Sequence, residues 1–327
     1  MVTNKFNLST ENTLTNDFND SINTFWDKHA QPRYFRGCAD KKIYTISIST
    51  GNDKAIVISQ GRTESVLKYK EVVFDLNRQG YDIYLIDHRG QGFSDRLISD
   101  PHRGHVVHFE DYVSDFDTYV SSLNLSIHYK NAYLLSHSMG GAICALYLEK
   151  YSSPFDASIF MSPMFSINFN IPDPLASLII NSYAKICTLL NDQPCYVLGG
   201  EDYQERLFKN NHYTSSEPRF NASNNLFKDH PKAQLGSPTM HWLKESSEAM
   251  KEAIAQAKDI KIPILVIQAG ADKVVTSNGQ LNFFENASLG KHKNKLLKIP
   301  DAQHEILLEQ DTYRVPALSA ILQFIKS

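Results

Sequence analysis

The sequence predicts an α/β fold in which a mostly parallel central sheet is covered by helices on both faces. Two observations support this prediction. Short apolar runs of strand length alternate with amphipathic helical stretches, and one such run leads directly into a serine flanked by small residues. A chain of 327 residues, of which 42% are hydrophobic, is long enough to bury the core of such a fold.

The first half of the chain follows this alternation after a polar segment. Residues 1–24 are rich in Asn, Thr, Ser and Asp, and the start of this segment is expected to be loosely ordered. The run 42–49 alternates polar and apolar residues as an outer strand does, whereas 55–59 is apolar throughout and indicates a buried strand. The next elements are predicted to be a helix, a strand and a helix, at residues 65–79, 81–86 and 109–123.

A serine lies at the turn between a strand predicted at 132–135 and a helix predicted at 140–150. A sharp strand-to-helix turn projects the hydroxyl of such a residue above the sheet, so this is the usual setting of a nucleophilic serine, here Ser138. The positions two before and two after must be small, because the helix start packs closely on the neighbouring strands. Gly140 meets this requirement, and Ser136 stands where glycine is preferred.

The alternation stops after a strand predicted at 157–161. Residues 165–239 are helical or irregular and rich in Asn, Pro and Tyr, which predicts a helical cap inserted after the sixth strand. Its first helix is expected to start with Asp173 as N-cap and Pro174 in the first turn. The core is then made of two stretches, 25–164 and 240–327. Its second stretch is predicted to hold a helix, two strands and a closing helix, at residues 241–257, 262–268, 295–299 and 316–326.

Two further residues match the partners that a nucleophilic serine needs, a base and a carboxylate that holds the base in the right tautomer. Asp272 and His304 each lie in the loop directly after a predicted strand, in the chain order serine, acid, histidine that suits this topology. All three are therefore expected at the carboxyl ends of strands. Asp301 is a rival acid, but it lies too near His304 in sequence to reach it easily. Taken singly, the three residues can also be explained as a helix cap, a turn aspartate and a surface histidine.

An oxyanion hole in such an enzyme uses two backbone N–H groups. One belongs to the residue after the nucleophile, here Met139, and the other to the loop after the third strand. Gly61 lets that loop bend, so that the N–H of Arg62 is expected to face the developing oxyanion. As an alternative, Gly61 only makes a tight turn before a helix capped by Thr63 or Ser65.

Three histidines recur at every third position, at residues 102, 105 and 108. Metal ligands can be built from such a cluster, but Pro101 and Gly104 indicate a loop, and no partner cysteine or HExxH pattern is found. The sequence therefore predicts neither a metal site nor a cofactor.

Composition excludes some classes of partner. A net charge of −3 gives no electrostatic reason to expect nucleic-acid binding. The N-terminus lacks the pattern of a signal peptide, and no run of apolar residues is long enough to span a membrane. The four cysteines show no CxxC pairing, so reduced thiols and a cytoplasmic location are expected.

With these residues in place, the chain resembles the lysophospholipase L2 family, within the α/β-hydrolases that include monoacylglycerol lipases and S33 serine aminopeptidases. The elbow SHSMGG at 136–141 is shared with the wider group. The runs GRTES at 61–65, IDHRGQGFS at 86–94 and GSPTMHW at 236–242 are more specific. Gln60 departs from the histidine usual in monoacylglycerol lipases. By this resemblance Ser138 is the nucleophile, Asp272 the acid and His304 the base.

The resemblance implies a carboxylic-ester hydrolase that releases a fatty acid from lysophospholipids or other single-chain lipid esters. Arg62, Arg89 or Arg96 is expected to meet a phosphate head group, and the cap to supply an apolar stripe for the acyl chain. A lipid substrate suggests peripheral contact with the inner membrane through the cap. The alternatives are a monoacylglycerol lipase or broad esterase, an aminopeptidase, for which no amine site is recognisable, and a non-catalytic hydrolase-fold binding protein.

Overall fold

The computed structural model describes residues 3–14, 18–168, 173–190, 193–290 and 292–326, apart from the side chains of residues 13, 18–20, 173–178, 181, 188 and 190. This part of the chain contains an eight-stranded sheet in the order β1-β2-β4-β3-β5-β6-β7-β8. The strands are β1 (Ala30–Arg36), β2 (Lys42–Ile48), β3 (Lys54–Ser59), β4 (Asp82–Asp87), β5 (Asn131–His137), β6 (Ala157–Met161), β7 (Ile264–Ala269) and β8 (Lys295–Ile299).

The predicted α/β fold class is confirmed. Strands β3 to β8 pair in parallel, while β1 and β2 pair antiparallel at one edge. Parallel strands read as continuous apolar runs because both of their faces are buried. β3, β5, β6 and β7 follow this rule, with nearly every residue buried.

Helices cover both faces of the sheet. The α-helices of the described residues, including the two of the cap, are α1 (Glu11–Leu14), α2 (Phe18–His29), α3 (Lys70–Arg78), α4 (Glu110–Ser122), α5 (Leu125–His128), α6 (Met139–Lys150), α7 (Asp173–Leu190), α8 (Glu217–Asp229), α9 (Met240–Gln256), α10 (Ser277–Ser288) and α11 (Asp311–Phe324). Side chains of α3 and α11 form the buried cluster on one face. Those of α4, α6, α9 and α10 form the cluster on the other. Within the described residues, no helix is both long and apolar enough to cross a membrane.

The elements that were not predicted include β1 and α10, and α11 begins earlier than predicted. β1 is mostly exposed and contains Pro32, which suits an edge strand that pairs on one side only, so it lacks the apolar signal of a buried strand. α10 is largely polar and buries only a few side chains. α11 begins at Asp311, five residues before Pro316, which therefore lies inside the helix and not at its start.

The N-terminal segment is more firmly attached than its composition suggests. Ser9 donates two hydrogen bonds of 2.8 Å, from its N–H and its hydroxyl, to the buried carboxylate of Asp75. The backbone carbonyl of Ser9 accepts a hydrogen bond from Arg314. The expectation of a loosely ordered start is therefore wrong for these residues, because their polar groups find buried charged partners.

Residues 165–239, for which we keep the name cap, lie between β6 and α9 and include α7 and α8. α7 begins at Asp173, but the side chains that would cap it lie outside the described residues. Cys187 of α7 and Cys195 are joined by a disulfide, while Cys38 and Cys144 are free. The expectation of reduced thiols is thus wrong for one pair, since the fold brings these two residues together. The cytoplasmic location, which also rested on the lack of a signal-peptide pattern, stays a prediction.

Candidate active site

Ser138 lies between the last residue of β5 and the first residue of α6, as the elbow pattern predicts. Its backbone has φ 50° and ψ −118°, a conformation that non-glycine residues rarely adopt. The turn is held by hydrogen bonds from the Ser138 N–H to the Met161 carbonyl and from the Met164 N–H to the Ser138 carbonyl. A Cβ at Gly140 would collide with the backbone carbonyl of Ser59, which explains the small residue two positions after the serine.

The structure brings Asp272 and His304 to this serine. His304 Nε2 lies 2.9 Å from the hydroxyl of Ser138, and His304 Nδ1 lies 2.7 Å from Asp272 Oδ2. The other carboxylate oxygen of Asp272 accepts N–H bonds from Val274 and Val275. Burial alone would raise the pKa of Asp272, but His304 and these amides hold it below its usual value. The rival Asp301 lies exposed in the turn after β8.

The two departures from the resembled families have local explanations. Ser136 has room for its hydroxyl, which donates to the backbone carbonyl of Ile159 on the neighbouring strand at 3.1 Å. Gln60 donates from its side-chain amide to Asp87 Oδ1 at 2.5 Å, and Asp87 also accepts the Val66 N–H. Both residues therefore stabilise the scaffold beneath the serine.

The loop after β3 approaches the serine closely. Both the N–H and the carbonyl of its residue Gly61 are hydrogen-bonded. A Cβ on Gly61 would lie 3.1 Å from the Cβ of Ser138. The Gly61 N–H donates to Glu64 at 2.5 Å, and the Gly61 carbonyl accepts from the buried amide of Gln91 at 2.8 Å. Because the peptide bond is trans, the N–H of Arg62 must point away from the carbonyl that Gln91 binds.

The other predicted donor, the N–H of Met139, lies at the first position of α6. The first four N–H groups of a helix have no acceptor within the helix, and the positive end of its dipole lies at the same point. The Met139 N–H is therefore available to a negatively charged oxygen near Ser138.

A buried network of charged side chains lies behind the loop. His137 directs Nδ1 to Glu64 at 3.1 Å and Nε2 to the backbone carbonyl of His304 at 3.2 Å. A carboxylate and a carbonyl can only accept, so these two contacts favour the cationic form of His137, in which both ring nitrogens are donors. Burial opposes this charge, but Glu64 outweighs it and raises the pKa of His137. On the far side, Lys68 lies 3.5 Å from Glu64 and 2.8 Å from Glu305.

Two cavities adjoin at this rim. The first, of about 470 Å³, contains Ser138 and His304 and is lined mainly by apolar side chains, among them Met164, Ile167, Ile180, Val197, Trp242 and Leu243. The second, of about 290 Å³, is lined by polar and apolar surface in about equal parts and includes several charged side chains, so we call it the polar cavity. Arg62, Thr63 and Tyr213 line both of them. An amphipathic molecule therefore finds an apolar and a polar compartment side by side.

Only one of the three candidate arginines for a phosphate group lines these cavities. Arg89 is 2% exposed and is paired with Asp111 and Asp115, so it stabilises the core and is unavailable to a ligand. Arg96 donates to backbone carbonyls, including those of Pro101 and Lys232, and lines neither cavity. Those two expectations are wrong, because both guanidinium groups already bind acceptors within the chain.

The histidines at 102, 105 and 108 have structural surroundings. His105 is buried and its Nδ1 lies 3.0 Å from the hydroxyl of Thr239. The carbonyl of His102 accepts the N–H of Gly236, which joins this loop to the end of the cap. In the described part of the chain, no group of three or more His, Cys, Asp or Glu residues is arranged to hold a metal ion.

Comparison with known proteins decides the family. Residues 50–311 match the family described as serine aminopeptidase, S33. The chain belongs to this family. Lysophospholipase L2 of Escherichia coli K12 is 35% identical over 93% of this chain and 89% of its own length. A probable lysophospholipase L2 of Haemophilus influenzae is 31% identical over 83% of each chain. This S33 family member is thus a serine hydrolase, as the sequence predicted.

Solved structures agree with this S33 assignment at the level of fold. The monoacylglycerol lipase of Paleococcus ferrophilus matches with a TM-score of 0.66 at 20% identity, over 86% of this chain and 98% of that one. A carboxyl esterase of Bacillus coagulans matches with a TM-score of 0.73 at 16% identity, over 91% and 98%. At these identities the likeness shows the α/β-hydrolase fold alone.

Three residues around the candidate triad of this S33 chain were not predicted. Glu64, Gln91 and His137 stand within the motifs at 61–65, 86–94 and 136–141, but no role was predicted for them. The adjacency of His137 to Ser138 was the one available signal. The backbone carbonyls that Gln91 and His137 contact belong to Gly61 and His304, which are distant in sequence and are brought together only in the folded chain.

Proposed function

We propose that this serine esterase is a lysophospholipase, which hydrolyses the ester of a single-chain phospholipid to a fatty acid and a glycerophosphodiester. The observation that best supports this is the chain of hydrogen bonds from Ser138 through His304 to Asp272, at the mouth of an apolar cavity. The names of the most similar curated relatives described above agree with it.

In the proposed mechanism, His304 Nε2 takes the hydroxyl proton of Ser138 as the oxygen attacks the ester carbonyl. Asp272 holds the imidazole in the required tautomer and stabilises its positive charge. The tetrahedral intermediate collapses when His304 gives that proton to the departing alcohol oxygen, which leaves an acyl group on Ser138. Water, deprotonated by the same imidazole, then releases the fatty acid and restores the serine.

The oxyanion of each tetrahedral intermediate would be bound by the N–H groups of Met139 and Arg62. The first is supported by its position at the N-terminus of α6. The second is supported by two hydrogen bonds that orient its peptide group. Gln91 binds the carbonyl of the Gly61–Arg62 peptide, and Glu64 binds the N–H of Gly61 just before it. One such donor typically contributes about 3 kcal/mol to the transition state.

The test is a lipid panel assayed with the wild type and with Ser138→Ala. Lysophosphatidylethanolamine, monoacylglycerol with the same acyl chain and a short p-nitrophenyl ester are compared at equal concentration. We expect the highest kcat/KM on the lysophospholipid, and a loss of about 10⁴-fold or more in Ser138→Ala. Ser158→Ala, which alters a buried serine of β6, is the control and keeps its activity.

A preference for the neutral lipid would replace this proposal by a monoacylglycerol lipase. If a fluorophosphonate probe fails to label Ser138 and no ester is cleaved, the chain is a non-catalytic binding protein. Cleavage of an amino-terminal peptide bond in place of any ester would indicate an aminopeptidase.

We also propose peripheral contact of the cap with the inner membrane. Ile186 and Leu189 on α7 are 49% and 74% exposed, and Leu198 beyond it is 63% exposed. The same helix lines the apolar cavity through Ile179 and Ile180. An apolar surface continuous with the cavity suits a bilayer from which the substrate is taken.

Vesicle binding tests this contact. The double variant Ile186→Ser, Leu189→Ser should bind vesicles of phosphatidylethanolamine and phosphatidylglycerol about tenfold more weakly than the wild type. The control is Ile127→Ser, which removes a 78% exposed isoleucine from α5 of the core. Equal binding of all three proteins would show that the cap does not contact the membrane through these residues.

A further inference from the structure

The polar cavity opens beside the apolar one, and the two meet at the residues nearest the serine. Arg62 and Thr63, on the loop whose Gly61 lies against Ser138, line both cavities. A substrate whose ester carbonyl lies at Ser138 therefore has one end in each compartment. If the acyl chain takes the apolar side, the alcohol side of the ester enters the polar one.

Two cations of the polar cavity, Arg62 and Arg206, form no direct ion pair with a carboxylate among the described residues, although Glu305 in the same cavity helps to raise the pKa of Arg206. Arg62 donates to the Gly236 carbonyl at 2.5 Å and stacks over Trp242, but its buried Nε has no hydrogen-bond partner there. Arg206 lies over the ring of Tyr213, 5.0 Å from its centroid. Burial lowers the pKa of Arg62 to about 10, and the charge of Arg206 acts in the same direction. An anion bound between the two guanidinium groups would offset both the burial of the Arg62 charge and its repulsion by Arg206.

The remaining cation of the cavity is already neutralised. Lys68 lies within ion-pair distance of Glu305 and of Glu64, so it offers no net positive charge to a ligand. This leaves Arg62 and Arg206 as the groups that an anionic ligand would meet.

Besides Glu305, which pairs with Lys68, two acids and an aromatic ring line the same cavity. Glu201 and Asp202 are exposed, and Asp202 accepts a hydrogen bond from Tyr196 at 2.5 Å. Tyr203 follows them and packs on Phe227 of α8. Carboxylates together with an aromatic face are the groups that recognise an organic ammonium. The cavity thus offers positive and negative side chains, and a zwitterion suits both.

We propose that the polar cavity binds a zwitterionic phospholipid head group, with its phosphodiester against Arg62 and Arg206 and its ammonium toward Glu201 and Asp202. This inference rests on the proposed lysophospholipase activity and names the substrate class for it. The head group would be ethanolamine- or choline-bearing, in preference to glycerol-bearing. The glycerophosphodiester product would leave from this cavity.

The phosphodiester half is tested with Arg206→Gln. The readout is the ratio of kcat/KM on lysophosphatidylethanolamine to kcat/KM on monoacylglycerol of the same chain length, in mixed micelles. Losing one charge-assisted contact should lower this ratio about tenfold. Lys209→Gln removes a charge three residues away that does not line the cavity, and should leave the ratio as in the wild type.

The ammonium half is tested with the double variant Glu201→Gln, Asp202→Asn. Here the ratio compares lysophosphatidylethanolamine with lysophosphatidylglycerol, which share the phosphodiester but not the ammonium. The wild type should favour the ethanolamine lipid, and the variant should lose about threefold or more of that preference. Glu205→Gln is the control, because Glu205 pairs with Lys228 and does not line the cavity.

A soluble product analogue gives a measurement independent of micelles. Glycerophosphoethanolamine should inhibit hydrolysis of a p-nitrophenyl ester by the wild type more strongly than glycerol 3-phosphate or glycerol does, and less strongly in Arg206→Gln.

The outcomes separate the two proposals. If lysophospholipids are cleaved but neither ratio changes in the variants, the head-group site is wrong and the lysophospholipase activity stands. If the ratio falls in Arg206→Gln but the ethanolamine preference does not change in the acid variant, the cavity binds the phosphodiester alone and the zwitterion is wrong. If lysophospholipids are not cleaved by the wild type while neutral esters are, the proposed function itself fails.

Discussion

The core side and the cap side of the candidate site are built in different ways. On the core side, Ser138, Gly61 and His304 are fixed through backbone groups, each bonded to a buried partner. On the cap side, the cavity is lined by apolar side chains such as Ile180 and Val197. Hydrogen bonds are directional, whereas apolar contact is not.

This difference indicates a division of labour. The catalytic groups, which must be placed to within a few tenths of an ångström, are held by the edge of the sheet and its loops. Positions that only need to exclude water and fit a chain are supplied by the cap. Changes on the core side should therefore act on kcat, and changes on the cap side on KM and on substrate choice.

Among the variants that test this division, the largest effect is expected from Gln91→Leu on the core side. The variant keeps the volume but removes the donor that fixes the Gly61 carbonyl. The Arg62 N–H then loses its fixed orientation, and kcat should fall about 100-fold with KM little changed. Steady-state kinetics on a short p-nitrophenyl ester measures this. Gln79→Leu, whose amide bonds the Phe6 carbonyl, is the control. A wild-type kcat in Gln91→Leu would contradict the proposed orientation.

His137→Gln tests whether the core side depends on a buried charge. The pKa of His137 is raised in the folded protein, so its pair with Glu64 stabilises the fold fully below the unfolded value of 6.5 and loses this contribution as the pH rises through the folded pKa. We expect the free energy of unfolding to fall by about 2 kcal/mol at pH 6 and by less at pH 9. Urea denaturation at both values measures it. A loss that is the same at both would show that His137 is neutral.

The smallest effect is expected from Ile180→Ala, which tests the cap side. Ile180 is 5% exposed and lines the apolar cavity. Its truncation should raise KM for a palmitoyl ester about fivefold, with kcat retained, and should alter an octanoyl ester less. A series of esters of increasing chain length measures this, with Leu281→Ala on α10 as the control. A fall in kcat without a change in KM would overturn the division between the two sides.

The same division explains what could be predicted from the sequence. The β5–Ser138–α6 turn and the strands before Asp272 and His304 have strong local patterns, so the three side chains could be chosen before the fold was known. β1 and α10 were missed because an exposed edge strand and a half-polar helix have no such pattern. The roles of Arg89 and Arg96 were wrong because their acceptors, Asp115 and the Lys232 carbonyl, are distant in the chain.

The cap was the least predictable part of the site. Its position after the sixth strand followed from the end of the alternation, and α7 begins where the Asp-Pro pair stands. The disulfide between Cys187 and Cys195 was not expected, since eight residues of separation and no CxxC motif gave no reason to join them. Apolar contact leaves many arrangements of equal quality, so a sequence pattern alone does not select one.

Arg62 has two proposed roles. Its backbone N–H binds the oxyanion, and its guanidinium binds the phosphodiester of the head group. The N–H is common to every amino acid except proline, so nearly any codon change at this position retains that group. The guanidinium belongs to the side chain, and any substitution of Arg62 removes it. On the proposed roles, descendants of this protein can therefore diverge in the lipid they accept through position 62 while inheriting the same reaction.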